Sequence, residues 1–389
     1  MTNKKNTVLF LGSGATKGSG FTKGSETKGN DQGLPTDQQF FKKGNEEEEG
    51  GVPNIIPNWE KGYPALSLCR ELIPGITSDS LCQTWNQLFI FRSLARASLY
   101  NDKSLIEHFE KLKNHNWLDN FKWREKHYSW QFKIINHSEN PLYYLAELAI
   151  WDLRALVKEI YSDLEDPQSP YNTLKGKIGD NLENWIVVNL NYDTTFDDCF
   201  EDKFSPLNEK DILVNDLRKK IIRPHGSLKW TSKNWFSEIN NTWVNPDWEE
   251  TFDDTNLTNQ GYQETSNPEQ LIFHQSLIVP PADFKEEIIG NSTLPGLMSQ
   301  LLWNQWRHME MALEQSNKII FYGTSLASGD NHLCFLIRKN IKNKKILIFD
   351  TNNTESFKNK WKERFPEANV KDIKFEDIPK QKVVTPLES

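Results

Sequence analysis

The amino-acid sequence predicts an α/β protein, built on a Rossmann-like parallel sheet with helices on both faces and a large helical insertion. Short apolar runs rich in β-branched residues alternate with segments of helical apolar period, a pattern typical of βαβ units. Residues 59–178 are helical in pattern and separate the first predicted strand from the second. We therefore assign 1–58 and 179–389 to the sheet domain and 59–178 to an inserted helical domain.

The first strand is predicted at Thr7–Leu11, directly before Gly12-Ser13-Gly14-Ala15. Its residues are apolar at successive positions, which indicates burial on both faces, as in the strands of a parallel sheet. The stretch 16–33 is rich in Lys and Gly and is predicted to be a loop. Residues 42–58, which contain an acidic run, are predicted to be an exposed linker.

The inserted block is predicted to be helical. Behind Pro141, apolar residues recur at helical spacing as far as Ile160, with Glu and Lys between them. The segments 80–100 and 102–113 follow the same pattern.

Strands and helices then alternate through the rest of the chain. The predicted strands are Trp185–Leu190, Ile221–Ile222, Ser276–Val279, Lys318–Tyr322 and Ile346–Phe349, and the predicted helices are 295–316 and 331–341. The region 231–270, rich in Asn, Trp and Asp, is predicted to be a loop-rich excursion. This alternation favours a parallel sheet with right-handed crossovers.

Composition narrows the class of protein. Of 389 residues, 46 are Lys or Arg and 54 are Asp or Glu, which gives a formal net charge of −8. A chain of this length can bury a substantial core, so global disorder is excluded. The acidic balance disfavours a protein whose main work is direct binding of nucleic-acid phosphates.

Export and membrane signals are weak in this sequence. The apolar run Val8–Leu11 is shorter than the ~7–15 residues of a signal-peptide core, and no apolar stretch approaches the ~20 residues that span a bilayer. The four cysteines form no C-x-x-C pair, which argues against a thiolate zinc site and fits a reducing compartment. We expect a soluble cytoplasmic protein with no membrane partner.

Polar and glycine residues collect where the predicted strands end, and ligands of open parallel sheets bind at those ends. The clusters are Gly12-Ser13-Gly14, Asn191-Tyr192-Asp193, His225-Gly226, Gly323-Thr324-Ser325 and Asp350-Thr351-Asn352. A glycine turn after a strand lets backbone N–H groups approach a pyrophosphate. The match is partial, because no Walker A motif is present and Lys17 stands where the last glycine of G-x-G-x-x-G belongs. A tight turn without a ligand remains the alternative.

The order of these motifs resembles that of the sirtuin family. Sirtuins share one NAD pocket among a G-A-G-type loop, a P-D turn, an N-x-D triplet, a catalytic H-G and a late G-x-S segment. The corresponding residues here are Gly12–Ala15, Pro35-Thr36-Asp37, Asn191-Tyr192-Asp193, His225-Gly226 and Gly323–Leu326. More specifically, the sequence resembles the divergent sirtuin-like domains of bacterial anti-phage defence systems, over roughly 6–40 and 184–355.

This resemblance implies an NAD+ glycohydrolase that cleaves the nicotinamide–ribose bond to give nicotinamide and ADP-ribose. It implies catalytic roles for Asn191, His225 and Asp193, with NAD as substrate and no metal. The residues it places against NAD are Gly12, Ser13, Gly14, Ala15, Thr16, Asp37, Gly323, Thr324 and Ser325, and Asp350 is added because a strand-end acid binds ribose hydroxyls in dinucleotide folds. It further implies an anti-phage effector that depletes NAD, forms a homo-oligomer and works with a HerA-type ATPase partner.

Cleavage of this bond builds oxocarbenium character on the ribose, and nicotinamide leaves as a neutral group. Asn191 could position a ribose hydroxyl or the attacking water, because its amide both donates and accepts hydrogen bonds. His225 could accept a proton near neutral pH. Asp193 could orient this network.

Each assignment has a structural alternative. Asp193 could cap the helix that contains Phe196, and Asn191 or Asp37 could be ordinary turn residues. Asp330 beside His332 is interpreted as the N-cap of the 331–341 helix, since one His and one Asp are too few ligands for a metal. Trp303 and Trp306, with Leu302, Met309 and Leu313 at helical spacing, are interpreted as core or subunit interface.

Two other functions also remain open. One is NAD-dependent protein deacylation or ADP-ribosyl transfer. However, Cys334 is the only cysteine after His225, so the four-thiolate zinc module of deacetylating sirtuins cannot form there. The other is a sensor that binds NAD or ADP-ribose without turnover.

Overall fold

The chain divides into two compact units. The first unit comprises Met1–Thr36, Leu164–Gly226 and Gly296–Ser389, and the second comprises Asp37–Asp163 and Ser227–Pro295. The computed structural model describes residues 6–12, 40–43, 51–56, 58–73, 76–113, 141–162, 171, 174, 182–193, 195–200, 203–207, 214–237, 242–244, 262–264, 270–279, 296–324, 330–350, 355–366 and 373–377.

Strands and helices are numbered along the chain. The strands are β1 (Asn6–Leu11), β2 (Trp185–Asn189), β3 (Ser205–Pro206), β4 (Lys220–Ile222), β5 (Gly226–Ser237), β6 (Thr242–Val244), β7 (Tyr262–Glu264), β8 (Gln270–Ile278), β9 (Ser316–Tyr322), β10 (Lys345–Asp350) and β11 (Ile373–Asp377). The helices are α1 (Val52–Ile55), α2 (Trp59–Gly62), α3 (Pro64–Leu72), α4 (Leu81–Arg96), α5 (Lys103–Lys113), α6 (Pro141–Ser162), α7 (Thr195–Cys199), α8 (Gly296–Gln315), α9 (Asn331–Asn340) and α10 (Glu355–Arg364).

The described strands of the first unit form one parallel sheet in the order β11-β10-β9-β1-β2-β4-β3. If β3 at the edge is set aside, the remaining strands follow the 3-2-1-4-5-6 order of the Rossmann fold. The strands β2, β3 and β4 lie on one side of β1 in the sheet, and the later strands β9, β10 and β11 lie on the other side. The predicted Rossmann-like α/β fold is therefore confirmed, with its switch point between β1 and β9.

Strand β1 lies at the centre of this sheet, buried on both faces as its sequence predicts. Leu9 and Leu11 belong to a buried cluster that includes Phe196 of α7. The alternate residue Phe10 stacks on Phe321 of β9 with ring centroids 5.1 Å apart, and Phe321 contacts Trp361 of α10 at 4.8 Å. Because side chains alternate along a strand, α7 and α10 cover opposite faces of the sheet.

Helices α1 to α6 belong to the second unit, whereas 164–178 of the predicted insertion belong to the first. Helix α6 packs against α3 and α4. Asp152 of α6 is buried and accepts hydrogen bonds from the backbone N–H groups of Ala65 and Leu66, at 3.0 and 3.1 Å. These are orphan donors of the α3 N-terminus, where Tyr63 at the N-cap provides no side-chain bond. Of the helices described here, none has the length and apolar character needed to cross a membrane.

The prediction of an exposed linker over 42–58 is wrong at 51–56, whereas Lys43 and Asn58 are exposed. Helix α1 lies in this segment, and Gly51 and Val52 are buried. Their backbone N–H groups donate to the carbonyls of Lys42 and Phe40, both at 2.7 Å. The apolar residues that flank the acidic run bring the chain into the core, whereas the acidic run itself lies outside the described residues.

The predicted loop-rich excursion is also wrong where the structure describes it. Strands β5 to β8 form a separate sheet in the order β6-β5-β8-β7, with β5 antiparallel to β6 and β7 antiparallel to β8. Ser276–Val279, predicted as a strand of the parallel sheet, is mostly the end of β8 in this second sheet. The mixed polar and aromatic sequence hides the period because cross-strand neighbours, rather than local propensity, stabilise such strands.

Candidate active site at the carboxyl edge of the parallel sheet

The parallel sheet brings several predicted site residues to one edge. Gly12 follows β1, Asn191 and Asp193 follow β2, His225 follows β4, and Gly323 and Thr324 follow β9. These strands are neighbours in the order β9-β1-β2-β4 and all run in the same direction. Their carboxyl ends therefore surround the switch point, where an open α/β sheet binds its ligand.

The ends of β1 and β9 approach each other closely at Gly12. Its backbone N–H donates to the Tyr322 carbonyl at 3.1 Å. A Cβ atom at this position would lie 2.6 Å from both the Gly323 carbonyl oxygen and the Thr324 Cα. Gly323 has φ 60°, in the left-handed region that favours glycine. Packing across the switch point alone therefore requires a glycine at position 12.

Asn191 joins the glycine turn to the end of β2. Its side chain is buried, and its Nδ2 donates to the Gly12 carbonyl at 3.0 Å. Its backbone N–H donates to Asn189 Oδ1, also at 3.0 Å. The two strand ends are thus held together by the amide that was predicted to position the substrate.

Asp193 has a structural role at one of its two carboxylate oxygens. Oδ1 accepts a hydrogen bond from the backbone N–H of Thr195, the first residue of α7, at 3.0 Å, as the capping alternative predicted. Oδ2 is buried without a hydrogen-bond partner among the described residues. Burial raises the pKa of Asp193, and the positive charge of Arg223 opposes that shift. The carboxyl group therefore combines a local helix contact with a buried oxygen that has no hydrogen-bond partner among the described residues.

Arg223 anchors the Asn191–Asp193 segment, a role that the sequence did not reveal. Its buried guanidinium donates to the carbonyls of Asn191 and Asp193 at 3.2 and 3.0 Å and pairs with Asp197 at 2.5 Å. Its own backbone N–H donates to Gln305 Oε1 at 2.8 Å. A single side chain thus fixes two of the residues predicted to be catalytic.

His225 lies beside the same segment and is 4% exposed. Its Nδ1 is 3.2 Å from the Leu190 carbonyl, next in the chain to Asn191. A carbonyl oxygen can only accept, so Nδ1 carries a hydrogen and Nε2 is the basic nitrogen of the neutral ring. The ring also lies against Trp306, with centroids 6.1 Å apart.

Asp330 occupies the predicted N-cap position of α9 but makes no side-chain capping bond there. Its Oδ1 instead lies 3.3 Å from His225 Nε2. His332 packs edge-on against Trp306 at 5.1 Å. Nowhere in the described part of the chain do three or more potential metal ligands cluster.

The structure describes only some of the remaining predicted residues. Thr324 is buried at the end of β9, and Asp350 is the last residue of β10, two strands from β1. Trp306, Leu302, Met309 and Leu313 are buried, as a core interpretation requires, whereas Trp303 is 43% exposed. The predicted residues outside the described ones are Ser13, Gly14, Ala15, Thr16, Asp37 and Ser325.

Electrostatically, this edge of the sheet favours neutral and paired groups. Tyr171 is fully buried, and burial, followed by the charge of Asp193, raises the pKa of its phenol well above the ordinary value. An amide, an imidazole beside a carboxylate and a desolvated carboxyl oxygen suit the binding of hydroxyl groups and the transfer of one proton.

No family model matches the chain, and comparison with curated proteins gives no significant match.

Proposed function

We propose that the protein is an NAD+ glycohydrolase that converts NAD+ and water into nicotinamide, ADP-ribose and a proton. The observation that carries the proposal is the convergence of Asn191 and His225 at the carboxyl edge of a sheet with Rossmann strand order. Two residues 34 positions apart in the sequence reach a common segment, because His225 contacts the Leu190 carbonyl next to Asn191. The motif order described above supports the choice of NAD among nucleotides.

In the proposed reaction, the bond between nicotinamide and ribose C1′ breaks with its electron pair leaving on nicotinamide. Water attacks C1′, and His225 Nε2 accepts the proton that this water loses. Asn191 holds a ribose hydroxyl or the water in line with C1′. Asp193 Oδ2 accepts a hydrogen bond from a substrate hydroxyl, because it is buried without another partner among the described residues.

Depletion of NAD by such a reaction is toxic to the cell that carries it, so the activity must be restrained until it is needed. We propose an anti-phage effector role, with restraint through a homo-oligomer or a HerA-type ATPase partner. Support for this part of the proposal comes from the sequence resemblance alone.

The test is incubation of the purified protein with NAD+, alone and with the partner ATPase, followed by quantification of all products. Release of nicotinamide and ADP-ribose in equal amounts is expected. ADP-ribose attached to protein, or acyl-ADP-ribose formed with an acylated peptide, would instead indicate transfer or deacylation. Intact NAD+ with saturable binding would indicate a sensor and would contradict the proposed activity.

A further inference from the structure

The buried carboxylate of Asp330 lies beside the proposed base, His225. Helix capping does not explain why an aspartate occupies this position. Asp330 is 6% exposed and occupies the N-cap position of α9. The usual reason for an Asp at this position is a hydrogen bond to the first helical N–H groups. Asp330 makes no such side-chain bond, and its Oδ1 lies 3.3 Å from His225 Nε2.

The hydrogen on the other ring nitrogen makes this contact informative. Nδ1 faces the Leu190 carbonyl at 3.2 Å and therefore carries a hydrogen. In a neutral ring the electron-rich Nε2 would lie 3.3 Å from the negative oxygen of Asp330, which is unfavourable when both groups are buried. A proton on Nε2 turns this repulsion into an ion pair.

Other described groups near the ring have contacts of their own. Arg223, two residues earlier in the chain, directs its guanidinium to Asp197. From α8 the neighbour is the Trp306 ring, and from α9 His332 packs against that same indole. Asp193 follows β2, where Arg223 donates to its backbone carbonyl.

We propose that Asp330 is the positioning residue of His225: it holds the imidazole through the contact at Nε2 and stabilises the imidazolium formed when Nε2 takes a proton from water. The use made of this pair in catalysis rests on the proposed function. The pairing itself does not, because it is a property of the protein without substrate.

The first experiment follows the His225 ring by NMR in the full-length protein labelled in histidine, with its signals assigned by comparison with His225→Gln. In the wild type, we expect a midpoint for the second proton above the ordinary ~6.5 of histidine. In Asp330→Asn, which keeps the size of the side chain and a good N-cap residue, the midpoint should fall by about one pH unit or more. Asp330→Glu should restore most of that difference.

Asp216→Asn is the matched control, because Asp216 is exposed and pairs only locally with Arg218. It should leave the His225 midpoint unchanged. Equal midpoints in wild type and Asp330→Asn would overturn the pairing. If the Asp330 variants do not fold, as judged by circular dichroism, a wild-type midpoint at or below ~6.5 overturns it by itself.

The second experiment measures nicotinamide release against pH. A base must be unprotonated to act, so the acid limb of kcat/KM in Asp330→Asn should move to lower pH by the shift seen in the NMR titration. An unmoved limb with a shifted NMR midpoint would overturn the role of the pair in catalysis. Absence of release in every variant would refute the proposed function, while the NMR titration would still decide the pairing.

Discussion

Replacement of Arg223 by Met is the most demanding test of how this site is built. The substitution keeps much of the aliphatic volume of the side chain and removes the guanidinium. It leaves the Asp197 carboxylate without its partner at 2.5 Å, and the carbonyls of Asn191 and Asp193 without donors at 3.2 and 3.0 Å. The segment that carries Asn191 then loses the side chain that ties it to the end of β4.

The expected cost follows from the burial of the pair. The side chains of Arg223 and Asp197 are 1% and 17% exposed. Removal of one partner from a buried ion pair costs about 3–5 kcal/mol, because the other charge stays desolvated and unpaired. Since ~1.4 kcal/mol corresponds to a factor of ten in an equilibrium constant, the sheet around β2 should open at least about a hundredfold more often.

Amide hydrogen exchange measured by mass spectrometry reports this opening strand by strand. The peptide that covers β2 should exchange about two or more orders of magnitude faster in Arg223→Met than in wild type. Arg218→Met is the matched control, since Arg218 also pairs with an aspartate, Asp216, but both side chains are about half exposed, at 48% and 59%. It should leave exchange in β2 unchanged. An Arg223→Met protein that exchanges less than about tenfold faster would refute the argument that this ion pair holds the site.

Three further changes test separate parts of the structure. Gly12→Ala places a Cβ 2.6 Å from the Gly323 carbonyl and should lower the thermal unfolding midpoint by an amount equivalent to about 1–3 kcal/mol; an unchanged midpoint in scanning fluorimetry would mean that the strand ends can separate freely. The pKa of Asp193 is raised in the folded protein above its ordinary 3.8, so the wild-type protein loses stability as the pH rises from the unfolded-state pKa to the folded-state pKa. The thermal unfolding midpoint of Asp193→Asn minus that of wild type should therefore increase with pH from about 4 upward. A difference that decreases with pH would contradict a raised pKa. Asp152→Ala removes the acceptor of two backbone N–H groups of α3 and should destabilise the second unit by about 2 kcal/mol. Amide hydrogen exchange in α3 should then be faster, and unchanged exchange there would contradict the capping role of Asp152.

The sheet could be read from the sequence where burial dictates composition. Strands β1 and β2 are mostly apolar because both of their faces are covered. Their short length and β-branched residues favour strands over buried helix segments. The excursion over 231–270 could not be read in this way. Its strands mix Trp, Asn and Thr, and their stability depends on partners across the sheet that the local pattern does not identify.

The candidate site, too, could be predicted from the sequence only in part. The strand-end positions of Asn191 and His225 follow from the predicted strands, because parallel strands end at a common edge. The partners of these residues do not follow. Arg223 looks like an ordinary residue before a proline, and Asp330 looks like a helix cap, since a buried ion pair is formed by residues distant in sequence. Only the packing of α8 and α9 near β4 gives Asp330 its contact with His225.

The central claim is that Asn191 and His225 act together on one ribose of NAD+. Its most direct test is a double-mutant cycle on nicotinamide release, with Asn191→Ala, His225→Ala, the double variant and, as control, His108→Ala at an exposed histidine. Residues that serve one transition state are not additive, so the double variant should lose little more activity than the worse single variant, while the control keeps full activity. Full turnover in a well-folded His225→Ala or Asn191→Ala protein would contradict the claim.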